Sequence, residues 1–133
     1  MVQIKDYCDN CNQKININIY QTIINHHLRW SISYICPFCN ATIEFDDIGH
    51  PPEDIRQTIL ASEGEYQLFI KQSEFNRIRT VKVLHDALNI SITEAFRILK
   101  IFPNSVVVGT KTEMIYLQEL LKAEGIEADV INL

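Results

Sequence analysis

Two short cysteine pairs constrain this chain more than anything else in it. Cys8-Asp9-Asn10-Cys11 and Cys36-Pro37-Phe38-Cys39 hold all four cysteines of the 133 residues. Two intervening residues let one tight turn aim both sulfurs at a single point, and two such turns supply four soft ligands, the number a tetrahedral centre takes. The residue after each pair is asparagine, Asn12 and Asn40. That position often needs a positive φ, which asparagine tolerates better than most residues carrying a Cβ. The same choice at both places predicts the same turn twice.

The expected cofactor is one structural Zn2+ held by Cys8, Cys11, Cys36 and Cys39. Four thiolates leave no position for water, so the ion is expected to hold the fold rather than to catalyse. A redox dithiol would need only one pair, beside a thioredoxin-like βαβ pattern that is not visible here. Met1 to Asp6 do not read as a signal peptide, and no apolar run approaches the length of a membrane span. A cytoplasmic chain is expected, and there paired cysteines serve metals more often than disulfides. The histidines add no second site. His26-His27 reads as a solvated loop, His50 as a turn residue and His85 as a surface or boundary position.

Three segments are legible. Residues 1–50 carry the cysteines and no helical periodicity. Lys14 to Tyr20 alternates strictly, as a half-buried strand does, and Trp30 to Ile35 and Thr42 to Phe45 are further strands. Strands between and after two metal-binding turns define a small antiparallel zinc ribbon. So short a segment needs a staple. Residues 51–64 read as a linker helix after the Asp46 to Pro52 turn, with Ile55, Ile59 and Leu60 on one face and Gly64 as its cap.

Residues 65–133 read as an α+β domain. Tyr66 to Ile70 and Phe75 to Val81 are expected strands, joined by a turn at Gln72-Ser73-Glu74. Leu84 to Leu88 is expected as a short helix. Ser91-Ile92-Thr93-Glu94 is a capping box for a helix to about Ile101, which Phe102-Pro103 stops. Val106-Val107-Val108 is a buried strand. Thr110 to Glu113 is a second capping box, opening a helix with Met114, Leu117 and Leu121 inward and Gly125 after its end. Ala128 to Ile131 is a last strand.

From Phe75 onward the chain resembles the C-terminal domain of the bacterial ribosomal stalk protein. The residues that carry this are Val81-Lys82-Val83-Leu84, Ile90-Ser91-Ile92-Thr93-Glu94-Ala95, Phe102-Pro103, Val108-Gly109-Thr110 and Ala128-Asp129-Val130. The Clp protease adaptor has a similar fold. The resemblance implies an α/β sandwich, so the whole chain is expected to be α+β, a four-cysteine zinc ribbon followed by a stalk-like sandwich. It also implies a departure in function. Where the stalk domain recruits translation GTPases through lysines, this chain has Thr93 and Phe96, and its turn has Asn89 and Ser91 in place of glycine.

No catalytic constellation is legible. With the cysteines committed to metal, no nucleophile has a base beside it, and four glycines form no phosphate-binding loop. Glu53 and Asp54 suit a helix start without any catalytic role. The net charge of −5 argues against a partner that is nucleic acid and suits a basic protein. The expected function is therefore protein–protein interaction. One form is an immunity or inhibitor protein that binds a basic toxin. The alternatives are a translation-associated protein and a nucleic-acid-binding ribbon. Candidate partner-binding residues are Phe96, Arg97 and Lys100, although Phe96 reads more simply as core, packed with Ile92 and Leu99 at helical spacing.

Overall fold

The structure, a computed structural model, describes residues 2–70, 76–100 and 107–133. The chain divides into two compact units, Met1–Glu63 and Gly64–Leu133.

The first unit is a meander of four antiparallel strands in the order β1-β2-β3-β4. They are β1 (Val2–Tyr7), β2 (Lys14–Ile24), β3 (His27–Ile35) and β4 (Thr42–Ile48). The sequence reading places β2, β3 and β4 but leaves out β1, whose alternation is short and whose exposed half, Lys5 to Tyr7, is polar. On β2 the alternation works as expected: Ile15, Ile17 and Ile19 are buried, while Lys14, Asn16 and Tyr20 are exposed. Register carries that face onto the neighbours, pairing Val2 and Ile32 with Ile19. The β2–β3 connection is a two-residue hairpin, Asn25-His26, with both φ values positive at 52° and 64°. That is the primed turn whose twist matches flanking strands, and it accounts for His26 without a metal.

The helix read as a linker belongs to the first unit. It is α1 (Glu53–Glu63), and Ile59 is buried with Val2 and Ile19, with Ile55 packed against them. A helix that buries its face on a sheet is part of that layer, not a connector. Gly64 follows it at φ 85°, as expected of a helix-ending glycine.

The second unit runs β5 (Tyr66–Ile70), α2 (Arg77–Leu88), α3 (Ile92–Lys100), β6 (Val107–Gly109), α4 (Lys111–Ala123) and β7 (Ala128–Asn132). Its sheet has the order β6-β5-β7, with both pairings antiparallel. Leu68, Ile70, Val107 and Ala128 share the inner face. The three helices cover it with Val81, Leu84, Ala95, Leu99, Met114, Leu117 and Leu121, all in one core. The result is two layers, a mixed sheet-and-helix unit.

One element differs in kind from expectation. Of the strand expected over Phe75 to Val81, the described part is helical instead, since α2 begins at Arg77 with Asn76 as its N-cap. The Asn76 side chain accepts from the Arg79 N–H at 3.0 Å. Ile78, an apolar residue of that stretch, is exposed. The residues that face the core, Thr80, Val81, Leu84 and Ala87, follow helical spacing. The Gln72-Ser73-Glu74 turn, and the Ile101 to Pro103 stop, lie outside the described residues. α2 ends at Asn89, left-handed at φ 55°, so asparagine performs the task of the missing glycine. The His85 Nδ1–H donates to the Ile90 carbonyl and ties that turn down.

Both capping residues accept as expected, but of the two expected boxes the one at α4 is completed. Glu94 N–H donates to Ser91 Oγ at 3.1 Å. At α4 the box is reciprocal: Glu113 N–H to Thr110 Oγ1 at 3.1 Å, and Thr110 N–H to Glu113 Oε1 at 2.9 Å. Thr110 and Glu113 are both buried, so water cannot replace either bond. Thr110→Ala is expected to destabilise the second unit by about 1–2 kcal/mol in urea unfolding, with metal content unchanged.

Candidate metal centre

Each cysteine pair bridges two strands in the same way. Tyr7 pairs with Lys14 and Ile35 with Thr42, so six residues close each connection. In the first, the Cys8 N–H donates to the Gln13 carbonyl at 2.8 Å and the Asn12 N–H to the Cys8 carbonyl at 2.9 Å. In the second, Cys36 donates to Ala41 at 2.8 Å and Asn40 to Cys36 at 2.9 Å. Asn12 and Asn40 both stand at φ 60°. The paired asparagines therefore do what their position predicts, reversing the chain so that the next strand pairs back.

Strand register then brings the two turns to one end of the sheet, opposite the Asn25-His26 hairpin. All four Sγ atoms lie within 4.8 Å of one another. Cys8 and Cys39 are 3.7 Å apart and Cys11 and Cys36 3.6 Å apart, sulfur to sulfur. A tetrahedron with metal–sulfur bonds of about 2.3 Å has edges of about 3.8 Å. The donor set thus fits a single tetrahedral ion. Cys8 and Cys36 are buried, and Cys11 and Cys39 are half-buried. Ile15, Ile17 and Tyr34 pack around them, and the Asp9 N–H donates to Tyr34 Oη at 3.2 Å, fixing the first turn to β3.

The surroundings favour thiolate at some sulfurs and oppose it at others. Cys8 is lowered to about 6, chiefly because the Cys11 N–H points at its sulfur, with the Asn10 N–H adding at 3.4 Å. Cys39 is lowered by the Asn10 side chain and by the Ala41 N–H. At Cys11 the Gln13 N–H favours the thiolate, yet burial and the neighbouring sulfurs outweigh it and push the thiol up to about 12. So closely grouped, the sulfurs cannot all ionise unless a cation compensates them. What the arrangement can do is hold one metal ion in a closed shell.

No other group of histidine, cysteine or carboxylate ligands assembles among the described residues. Of the candidate partner residues, Phe96, Arg97 and Lys100 are all exposed on α3, and Phe96 is joined by exposed Ile92 rather than packed with it inside. Only Leu99 of that trio is core. The simpler reading of Phe96 as core fails because the inward stripe is Ala95 and Leu99, one residue out of phase with Ile92 and Phe96. Among the described residues no helix is long and apolar enough to cross a membrane. No family model matches the chain, and neither a curated protein nor a solved structure matches it.

Cys36→Ser, or treatment with a strong chelator, is expected to remove the metal and unfold residues 1–63 while residues 64–133 keep their own transition. Metal analysis, which should give one ion per chain before treatment, and circular dichroism check this. Because bound sulfurs are thiolates, binding releases protons and weakens as the pH falls below neutral. Asn12→Gly should be nearly neutral, whereas Asn12→Val should cost roughly 1–2 kcal/mol at the left-handed position, read from the chelator concentration at the unfolding midpoint.

Proposed function

We propose that this chain is a non-enzymatic protein-interaction module, with a zinc ribbon as structural support and an α/β unit that presents a docking helix. The observation that carries the reading is α3. Ala95 and Leu99 anchor it in the core, which leaves Ile92 and Phe96 in solvent, one turn apart. Exposed Arg97 and Lys100 border them, with Arg97 paired to Glu94. Aromatic and arginine side chains of this kind are common anchors in protein interfaces. Zinc is the metal of choice because four thiolates in a tetrahedral closed shell suit its softness and lack of geometric preference.

Two identities of partner have support. An immunity or inhibitor role toward a basic protein is supported by the acidic balance. That balance is concentrated in residues 1–63, which have four basic residues against eight acidic ones. Association with translation factors or the ribosome is supported by the element order from Tyr66, strand-helix-helix-strand-helix-strand, which keeps the α/β sandwich that the stalk resemblance implies. Affinity capture from the native cell, using wild-type chain and Phe96→Ala in parallel, separates them. One stoichiometric basic partner is expected for the first, and ribosomal proteins or translation GTPases for the second. Capture should fall at least several-fold with Phe96→Ala. Partners retained equally by both chains would overturn α3 as the docking face.

A further inference from the structure

The four sulfurs are not equivalent. In each turn the first cysteine, Cys8 or Cys36, is buried, while the second, Cys11 or Cys39, reaches solvent in part. The two outward sulfurs differ again in what shields them. Cys39 accepts from the Asn10 side chain, which crosses from the first turn, and from the Ala41 N–H. Cys11 accepts from the Gln13 N–H, and its other polar neighbours are the three remaining sulfurs. A donor at a thiolate draws on the electrons that would attack an electrophile, so Cys11 is the more nucleophilic of the two. A bound ion keeps all four as thiolates, the reactive form. Behind Cys11 lies Cys36, sulfur to sulfur at 3.6 Å, and behind Cys39 lies Cys8 at 3.7 Å. The outward sulfur of each turn thus touches the buried sulfur of the other turn.

We infer that Cys11 is an oxidation site for small hydroperoxides and that Cys36 resolves it, so that the metal centre converts to a disulfide between the two turns. The inference rests on the zinc reading proposed above and adds a reaction to it. The Cys11 thiolate attacks one peroxide oxygen and the O–O bond breaks, which leaves a sulfenic acid and releases hydroxide. The Cys36 thiolate then attacks the Cys11 sulfur, the S–O bond breaks and a second hydroxide leaves. The two thiolates lose two electrons and the peroxide gains them, so no further reactant is needed. Two thiolates remain for the ion, too few for a closed tetrahedral shell, and it departs. The new bond joins the same two turns that the ion joined, so the strand register survives its loss. Chelation has the opposite outcome, since it removes the tie and puts none in its place.

The test uses the full chain loaded with its metal. Hydrogen peroxide in molar excess should release the ion, read by a coloured zinc indicator, while circular dichroism keeps the β signal that a chelator abolishes. Peptide mapping by mass spectrometry should find Cys11 joined to Cys36. Dimedone, which traps sulfenic acids, should label Cys11 before any other cysteine when present during the treatment. Asn10→Ala keeps all four ligands and removes a donor from Cys39, so labelling at Cys39 should rise at least several-fold. Disulfides within a turn, Cys8 to Cys11 or Cys36 to Cys39, overturn the inference. First labelling at another sulfur, release accompanied by unfolding, or a labelling pattern that Asn10→Ala leaves unchanged overturns it too. A loaded chain that keeps its ion under peroxide is no switch, and the zinc reading then stands alone. A chain purified without metal overturns both.

Discussion

Four sulfurs drawn to one point are the constraint on which the first unit depends. Cys8 leans toward thiolate because the Cys11 N–H points at it, and Cys11 leans away because burial and the neighbouring sulfurs outweigh the Gln13 N–H. A cation removes that conflict, and the two turns that deliver the sulfurs also set the sheet. Each turn consumes six residues between paired strand ends, so the register of β1 on β2 and of β4 on β3 follows from the cysteine spacing. A slip of one residue would turn Ile15, Ile17 and Ile19 to solvent and misalign the ligands at the same time. Apart from Leu28 and Trp30, the buried apolar side chains of this unit form two small clusters, Ile15, Ile17 and Tyr34 around the cysteines and Val2, Ile19 and Ile59 under α1. Metal-driven folding is worth roughly 10–16 kcal/mol in isolated zinc-finger peptides, which exceeds what such small clusters supply.

The second unit, which has no such ligand cluster among its described residues, is held by a larger core. Its core is continuous, from Leu68 and Ile70 on the central strand through Leu84, Leu99, Met114, Leu117 and Leu121 on three helices. Where its helices begin, side chains satisfy the amides that the helices leave open: Asn76, Ser91 and Thr110 each accept from a residue three further on. Asn89 ends α2 in the left-handed region, as Asn12 and Asn40 end the cysteine turns. Asparagine is thus this chain's device for reversing direction where glycine is scarce, and it serves in both units for the same steric reason.

How far the sequence is legible follows from how local each signal is. The metal turns, the alternating β2, the two caps on α3 and α4 and the buried face of α4 are set by residues within a few positions of each other, and all are found where the pattern places them. β1 is lost because its apolar positions, Val2 and Ile4, gain meaning only when β2 pairs with them. α2 is misread because Ile78 supplies an apolar beat that tertiary structure does not use, while Thr80 is wholly buried although polar, its hydroxyl donating to the Asn76 carbonyl at 2.8 Å. α1 is recognised as a helix, yet the partner that makes it part of the first unit is β1, the strand the pattern leaves out.

The same distinction between local and summed information bears on function. A net charge of −5 does not say where the charge sits, and it is not spread evenly. Residues 1–63 hold eight acids against four bases, whereas residues 76–100 hold five bases against two acids. Electrostatic complementarity acts over about a Debye length, ~8 Å at physiological ionic strength, which is shorter than the separation between layers of a domain. A partner at α3 therefore meets the field of Arg97 and Lys100 rather than that of the whole chain. The docking face proposed at α3 thus calls for an acidic and apolar patch on the partner, whatever that partner's net charge.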